Sequence, residues 1–252
     1  GLGKYLKFNY LVNQILKSQQ FDCIVSGDMY SLLSAVRYRK KSVVVYDCRE
    51  IYTDLFAHRK KPILKLLCRL YESFFIKLVH RIVVTADSDL SILSKKYSSI
   101  DSRTWFTLYN YPKYINLVSS VDVDHDLPKD CTKLIYQGTL QKGRGIQRLI
   151  ELVKYSKKIC AVIVGEGPEK NKYIQLSKEL NIEKKIVFVG AVPYLNLFQY
   201  TVSCDIGWCL VDGTGLSNLN ARPNKLFEYA LMGLPVIASD LPNLRTILEK
   251  YN

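Results

Sequence analysis

The sequence predicts an α/β fold of two lobes, each built on a parallel sheet, and three observations carry that expectation. Short apolar runs of strand length alternate with helical patterns along the whole chain, as βαβ units require. The length of 252 residues suits one large or two modest domains. Near the middle, Leu117–Cys131 (LVSSVDVDHDLPKDC) is acidic and lacks an apolar period, so it reads as a link. The expected division is a first lobe over 1–116, a link over 117–131 and a second lobe over 132–252.

Each element follows from local pattern. A helix is expected near Tyr5 to Ser18. Strands are then expected at FDCIVSGD (21–28), SVVVYDC (42–48), RIVVTAD (81–87) and WFTLYN (105–110), which are β-branched or aromatic runs bounded by polar residues. The second lobe reads as strand KLIYQG, a helix from Ile146, strand ICAVIVG, a helix from Glu169 and strand KIVFVG. After these come a helix around Asn196 to Tyr200, strand DIGWCLV, a helix carrying Glu228 and strand PVIAS. In PNKLFEYALMGLPVIAS, Pro223 suits a first helical turn and Leu226, Phe227, Ala230 and Leu231 form the apolar stripe. Gly233 ends that helix. Lys225 and Glu228 are three apart, on one face near the positive end of the helix dipole.

Composition bounds the function. No apolar run reaches the roughly 18 residues needed to span a bilayer, and GLGKYLKFNYLVNQ lacks the apolar core of a signal peptide. Seven cysteines without paired metal spacing read as reduced core residues of a cytoplasmic protein. The net charge is +13, and the stretch from His58 to Arg81 holds seven Lys or Arg against one Glu, with leucines and aromatics at near-helical spacing. Such a basic amphipathic helix can lie on an anionic membrane surface, or it can be an ordinary surface helix with a solvated basic face. No nucleic-acid module surrounds the charge, so no nucleic-acid partner is expected.

Several loops suit anions. GTLQKGRG (138–145) follows a strand and opens a helix, placing backbone amides and the helix dipole for a phosphate. It half-matches an ATP-binding loop, but Arg144 and Gly145 replace the Lys-Ser or Lys-Thr pair, which argues against ATP hydrolysis. Gly165–Pro168 (GEGP), Gly190–Pro193 (GAVP) and Asp212–Asn220 (DGTGLSNLN) are further turns after strands. Asp122, Val123 and Asp124 form an Asp-x-Asp, read as a solvated acidic turn in the link rather than a metal site. His58, His80 and His125 offer neither zinc nor triad spacing, and no metal is expected.

The Pro223–Ser239 segment resembles the donor-binding motif of glycosyltransferase family 4, retaining enzymes of the GT-B fold, in which Pro-x-Lys-Leu-x-Glu-Tyr precedes Gly-x-Pro-Val-Ile-Ala. The first lobe is similar in its order of FDCIVSGD, VVYDCREIYTD, RIVVTADSDLSILSKKY and YNYP. The resemblance implies two Rossmann-like lobes, with the first incomplete and the second lacking its C-terminal end. This stretch alone is accordingly expected to lack normal turnover.

The resemblance also implies roles. Glu228 would bind ribose hydroxyls, and the helix start at Asn224 and Lys225 would face the donor diphosphate. Gly138, Thr139, Lys142 and Gly143 would line the phosphate loop with Arg144, Thr139 standing where the family usually has an arginine. Gly165 and Gly167 would lie near the nucleotide, and the backbone at Val192 would touch the base. Asn220 stands where many members carry a glutamate on the donor sugar, and Arg49 where many carry a histidine. Arg144, Glu228 and Arg49 are the implied catalytic groups.

The implied activity is transfer of a sugar from a nucleoside-diphosphate sugar to a hydroxyl acceptor with retention, in cell-surface polysaccharide or glycolipid synthesis. The acceptor could be lipid-linked, the enzyme cytoplasmic or peripheral at the inner membrane face, and no cofactor is expected beyond the donor. Two alternatives stay open: a nucleotide-sugar epimerase of related fold, and a non-catalytic nucleotide-binding or interaction fragment.

Overall fold

A computed structural model describes residues 2–54, 61–115, 127–128, 130–213, 216–219 and 221–251. His58, His125, Asn220, the Asp122–Asp124 pair and most of the expected link lie outside these residues. The chain divides into two compact units, Gly1–Asn110 with Thr214–Asn220, and Tyr111–Gly213 with Ala221–Asn252. Both are α/β with parallel sheets, as Rossmann-like lobes of the GT-B type are.

The first unit runs α1 (Leu2–Ser18), β1 (Cys23–Ser26), α2 (Leu32–Val36), β2 (Val43–Cys48), α3 (Pro62–Phe75), β3 (Arg81–Val84), α4 (Asp87–Lys96) and β4 (Trp105–Thr107). Its sheet has the order β1-β2-β3-β4, all parallel. Strand alternation sends Val44, Tyr46, Cys48, Ile82 and Val84 into a core shared with Leu32, Ala35, Ile76 and Leu93. The expected strands are all present but shorter, and WFTLYN pairs only over Trp105–Thr107. The sequence reading did not anticipate α2, whose five residues are too few to show a period.

One acid is buried in that core. Glu72 of α3 is fully enclosed, accepting from Tyr46 Oη at 3.0 Å, from Tyr97 Oη and from Lys96 Nζ at 3.4 Å. A buried carboxylate is tolerated when its lone pairs are met in this way.

The second unit runs β5 (Thr132–Gln137), α5 (Ile146–Tyr155), β6 (Ile159–Val164), α6 (Lys170–Glu179), β7 (Ile186–Gly190), α7 (Tyr194–Val202) and β8 (Ile206–Cys209). The short α8 (Leu216–Leu219) groups with the first unit, after which the second continues with α9 (Asn224–Leu231), β9 (Val236–Ala238) and α10 (Pro242–Tyr251). The sheet order is β7-β6-β5-β8-β9, again parallel throughout. β6 is buried from Cys160 to Val164, as a central strand covered on both faces must be. α5 buries Ile146, Leu149, Ile150 and Val153, each worth roughly 1.5–3 kcal/mol when fully removed from water.

Two expectations are corrected here. Pro223 does not enter the helix but caps it in an extended conformation, with Asn224 the first helical residue. Nor are all the cysteines unpaired core residues: Cys131 and Cys160 form a disulfide with Cα atoms 5.9 Å apart, and Cys23 is exposed. Their separation of 29 residues hides the fact that β5 and β6 are neighbours, with Thr132 opposite Ile159. Cysteine usage therefore carries no argument for compartment. Among the described residues, no helix is long and apolar enough to cross a membrane.

Candidate functional site

In the second unit the chain adds β6 and β7 on one side of β5, then crosses to add β8 and β9 on the other. The order reverses between β5 and β8, and in open parallel sheets ligands bind beyond the strand C-termini at such a reversal. The loops singled out in the sequence leave the C-terminal ends of β5, β6, β7 and β8.

Backbone bonds stitch these loops together. Gly138 N–H donates to Val164 O at 3.0 Å, Leu140 N–H to Glu166 O at 2.9 Å, and Gly165 N–H to Gly190 O at 2.8 Å. On the other side, Asp212 N–H donates to Gly143 O at 2.9 Å, and the Trp208 indole N–H to Gly145 O at 2.9 Å. Gly145 caps α5 with φ +70°, and a Cβ there would overlap the side chain of Leu210, so no larger residue fits. The glycines of the 138–145 loop are thus held by the end of β6 and the segment that follows it, and by β8 and its exit.

Thr139 and Lys142 are exposed on the loop, and Tyr136 Oη donates to Thr139 O at 2.7 Å. Arg144 is half-buried, and the Gln141 amide oxygen, turned toward it, accepts from its Nε at 3.0 Å and Nη2 at 3.2 Å.

α9 brings the remaining groups. Its eight residues end at Leu231, two before Gly233, whose φ of +74° lets its N–H reach Ala230 O while Leu234 N–H reaches Tyr229 O. Tyr229, fully buried, donates to Ile135 O at 3.0 Å and accepts from Gln137 N–H at 3.1 Å, which pins the helix to β5.

On the same helix, Lys225 and Glu228 are both buried, although charged residues at i and i+3 more often form a solvated pair. Lys225 Nζ sits 3.9 Å from the centroid of the Tyr136 ring, a cation–π contact. Burial pushes the Lys225 ammonium down to about 8; Arg144 adds to the fall, while Cys209 and Glu228 oppose it.

Glu228 is held at both oxygens. Gln137 Nε2 donates to Oε2 at 2.5 Å and Tyr194 Oη to Oε1 at 3.1 Å. Burial beside this carboxylate pushes the Tyr194 hydroxyl up to about 12, so it remains a donor. Thr201 Oγ1 in turn donates to Gln137 Oε1 at 2.9 Å, which aims the amide nitrogen at the acid. Each carboxylate oxygen keeps a lone pair for another donor.

Gln137, Thr201, Tyr194 and Tyr136 were not anticipated from sequence. Gln137 left a signal all the same: a polar residue closing an apolar strand is buried, and a buried amide needs partners.

Of the residues named from sequence, Gly138, Thr139, Lys142, Gly143, Arg144, Gly165, Gly167, Val192, Asn224, Lys225 and Glu228 all belong to the second unit. Val192 lies half-buried in the turn that leads to Tyr194, and Asn224 is exposed in the first turn of α9. Arg49 is on the first unit, where its exposed guanidinium is paired with Asp47, Nε to Oδ2 at 2.7 Å. That pairing holds its proton more tightly than usual. Together the second-unit groups offer three cations, Lys142, Arg144 and Lys225, and the amides of a helix start to an anion, and a fixed carboxylate to hydroxyls.

Solved structures share this fold. Sucrose-phosphate synthase from Thermosynechococcus elongatus aligns with a TM-score of 0.73 at 16% identity over 96% of this chain and 62% of its own. Anabaena HepE, in complex with UDP-glucose, aligns at 0.67 and 14% identity over 98% and 67%. The lipopolysaccharide outer core galactosyltransferase WaaB, in its apo form, aligns at 0.57 and 18% identity over 95% and 62%. The chain thus spans less than two thirds of the length of the first and last of these. No curated protein matches it by sequence. Residues 121–252, just over half of the chain and the part that carries the 138–145 loop, Arg144, Lys225 and Glu228, match the family described as Glycosyl transferases group 1, and the chain belongs to that family.

Proposed function

We propose that this chain serves a retaining, family 4 glycosyltransferase activity that moves a sugar from a nucleoside-diphosphate sugar to a hydroxyl acceptor. The observation that carries the reading is the buried Glu228 carboxylate, fixed by Gln137 and Tyr194 beside Lys225 and Arg144 at the sheet reversal. In this reading Glu228 accepts from the ribose hydroxyls. Arg144, Lys225 and the amides from Gly138 to Gly145 meet the charge that builds on the departing diphosphate, with Lys142 at the loop surface. Electrostatic stabilisation of this kind needs no metal. Val192 and the turns at Gly165 and Gly167 line the nucleotide, while Asn220 and Asn224 complete the donor side.

Arg49 is assigned as a cation on the acceptor side; an arginine can stabilise charge but cannot shuttle a proton at neutral pH. No assigned group serves as a covalent nucleophile. The reading is therefore same-face attack, with the leaving phosphate accepting the acceptor proton. The solved structures of HepE with UDP-glucose and of a pneumococcal O-GlcNAc transferase with UDP and GlcNAc make a uridine donor the first to try. The acceptors to try are intermediates of cell-surface polysaccharides and glycolipids on the cytoplasmic side of a membrane.

The test is to titrate nucleoside diphosphates by calorimetry and to follow transfer from a panel of nucleotide sugars by mass spectrometry, with product anomers read by NMR. Binding of a nucleoside diphosphate and an anomer matching the donor are expected. Failure to bind any nucleoside diphosphate overturns the donor site. Donor conversion without acceptor points to an epimerase, and an inverted product overturns retention.

A further inference from the structure

A surface helix ordinarily turns its apolar stripe toward the core and its charges toward water. α3 packs Tyr71 and Phe75 on the core but turns other apolar residues, like its basic ones, toward water. Its buried side chains are Cys68 and Glu72, and Glu72 is the one acidic residue of the helix. The apolar residues Ile63, Leu67, Leu70 and Phe74, at helical spacing, face outward with 75%, 58%, 59% and 64% of their surface exposed. Leu66 is also 55% exposed. The basic residues Lys61, Lys65, Arg69 and Lys77, on and beside the helix, are exposed as well. Because Tyr46, Tyr97 and Lys96 hold the Glu72 carboxylate inside, no carboxylate of this helix tempers the outward charge.

We propose that α3 is a docking surface for an anionic lipid bilayer, with Ile63, Leu67, Leu70 and Phe74 entering the interface and Arg69 and Lys77 meeting lipid phosphates. The choice of lipid over a protein groove rests on charge complementarity. An apolar stripe on a helix whose own outward charges are all cations fits a surface that is apolar within and anionic at its rim. The proposal is independent of Arg144, Lys225 and Glu228, which belong to the other unit.

Co-sedimentation of the full chain with vesicles tests it. Vesicles of phosphatidylglycerol with phosphatidylcholine should bind the chain, and phosphatidylcholine alone should bind it much more weakly. The binding should fade with salt, since exposed charges are screened within about 8 Å at physiological ionic strength.

Arg69→Gln with Lys77→Gln should weaken binding by about 30-fold, from the usual contribution of a basic residue near an anionic surface. Leu67→Gln with Leu70→Gln should weaken it on neutral and anionic vesicles alike. Circular dichroism should show both pairs folded, as the replaced side chains are exposed. Phe74→Trp supplies a second reading, a blue shift of the added fluorescence on anionic vesicles. Equal binding to both vesicle types, no loss in either double variant, or a tryptophan that stays in water overturns the proposal. So does a dimer by light scattering that Leu67→Gln with Leu70→Gln converts to monomer, because a second copy would then cover the stripe.

Discussion

Gln137 closes strand β5 and Glu228 stands on helix α9, 91 residues later, yet the amide nitrogen of one donates to the carboxylate of the other at 2.5 Å. Thr201 fixes the far side of the same amide. The carboxylate assigned to the donor is therefore part of a buried network, and its orientation is decided before any ligand arrives.

Replacing Glu228 should weaken nucleoside diphosphate binding by about 1–3 kcal/mol, the scale for hydrogen bonds to a charged group. Because the carboxylate is buried, Glu228→Ala also leaves the Gln137 and Tyr194 donors without an acceptor and should lower stability by about 1–3 kcal/mol. Glu228→Gln keeps the shape and should cost less in the fold. Calorimetry and denaturant melts of both variants separate the two effects; unchanged affinity in a folded Glu228→Gln protein would remove the ribose role.

Gln137 acts through Glu228, so its loss should be coupled to the loss of the acid. Gln137→Met should weaken nucleotide binding in the wild-type background and have little further effect in Glu228→Gln. An interaction term of about 0.5–3 kcal/mol in that double-mutant cycle is expected for neighbours sharing a hydrogen bond. Strict additivity would show that the amide matters only to packing.

Arg144→Ala should reduce affinity for a nucleoside diphosphate far more than for the nucleoside, because its assigned partner is phosphate charge. A loss of about 1.5–3 kcal/mol is expected for the diphosphate alone. Equal losses for both ligands would instead mean that the Gly138–Gly145 loop had collapsed.

Lys225 should impose a pH dependence. Its ammonium titrates at about 8 in the folded chain against an ordinary 10.5, so between these values the unfolded chain binds more protons. Folding stability should then rise with pH across that window, by on the order of 3 kcal/mol if this group alone is counted. Below pH 8 the cost of burying the charge is present in full. A bound diphosphate reverses the preference by favouring the ammonium, so binding should take up a proton near pH 8 and weaken above it. Calorimetry in buffers of different ionisation heat measures that uptake. Lys225→Met should abolish it and, without ligand, should be more stable than wild type at neutral pH. Proton uptake that persists in Lys225→Met would assign the titration elsewhere.

What the sequence by itself determined was local. Short apolar runs placed the strands, the stripe of Leu226, Phe227, Ala230 and Leu231 placed α9, and Gly233 ended it, because these signals depend on residues within a few positions of one another. The glycine-rich turns after β5, β6 and β7 were legible for the same reason. Tertiary structure alone decided the strand order that sets the reversal between β5 and β8, since parallel strands are joined by crossovers whose direction leaves no mark in a local window. It also decided that Lys225 lies against Tyr136 and Glu228 between Gln137 and Tyr194, contacts spanning 34 to 91 residues in the case of the acid. The pairing of Cys131 with Cys160 and the turning of α3, Glu72 inward and Leu67 outward, have the same origin. A helical period shows that two faces differ, but which face meets the core depends on what the rest of the chain brings against it.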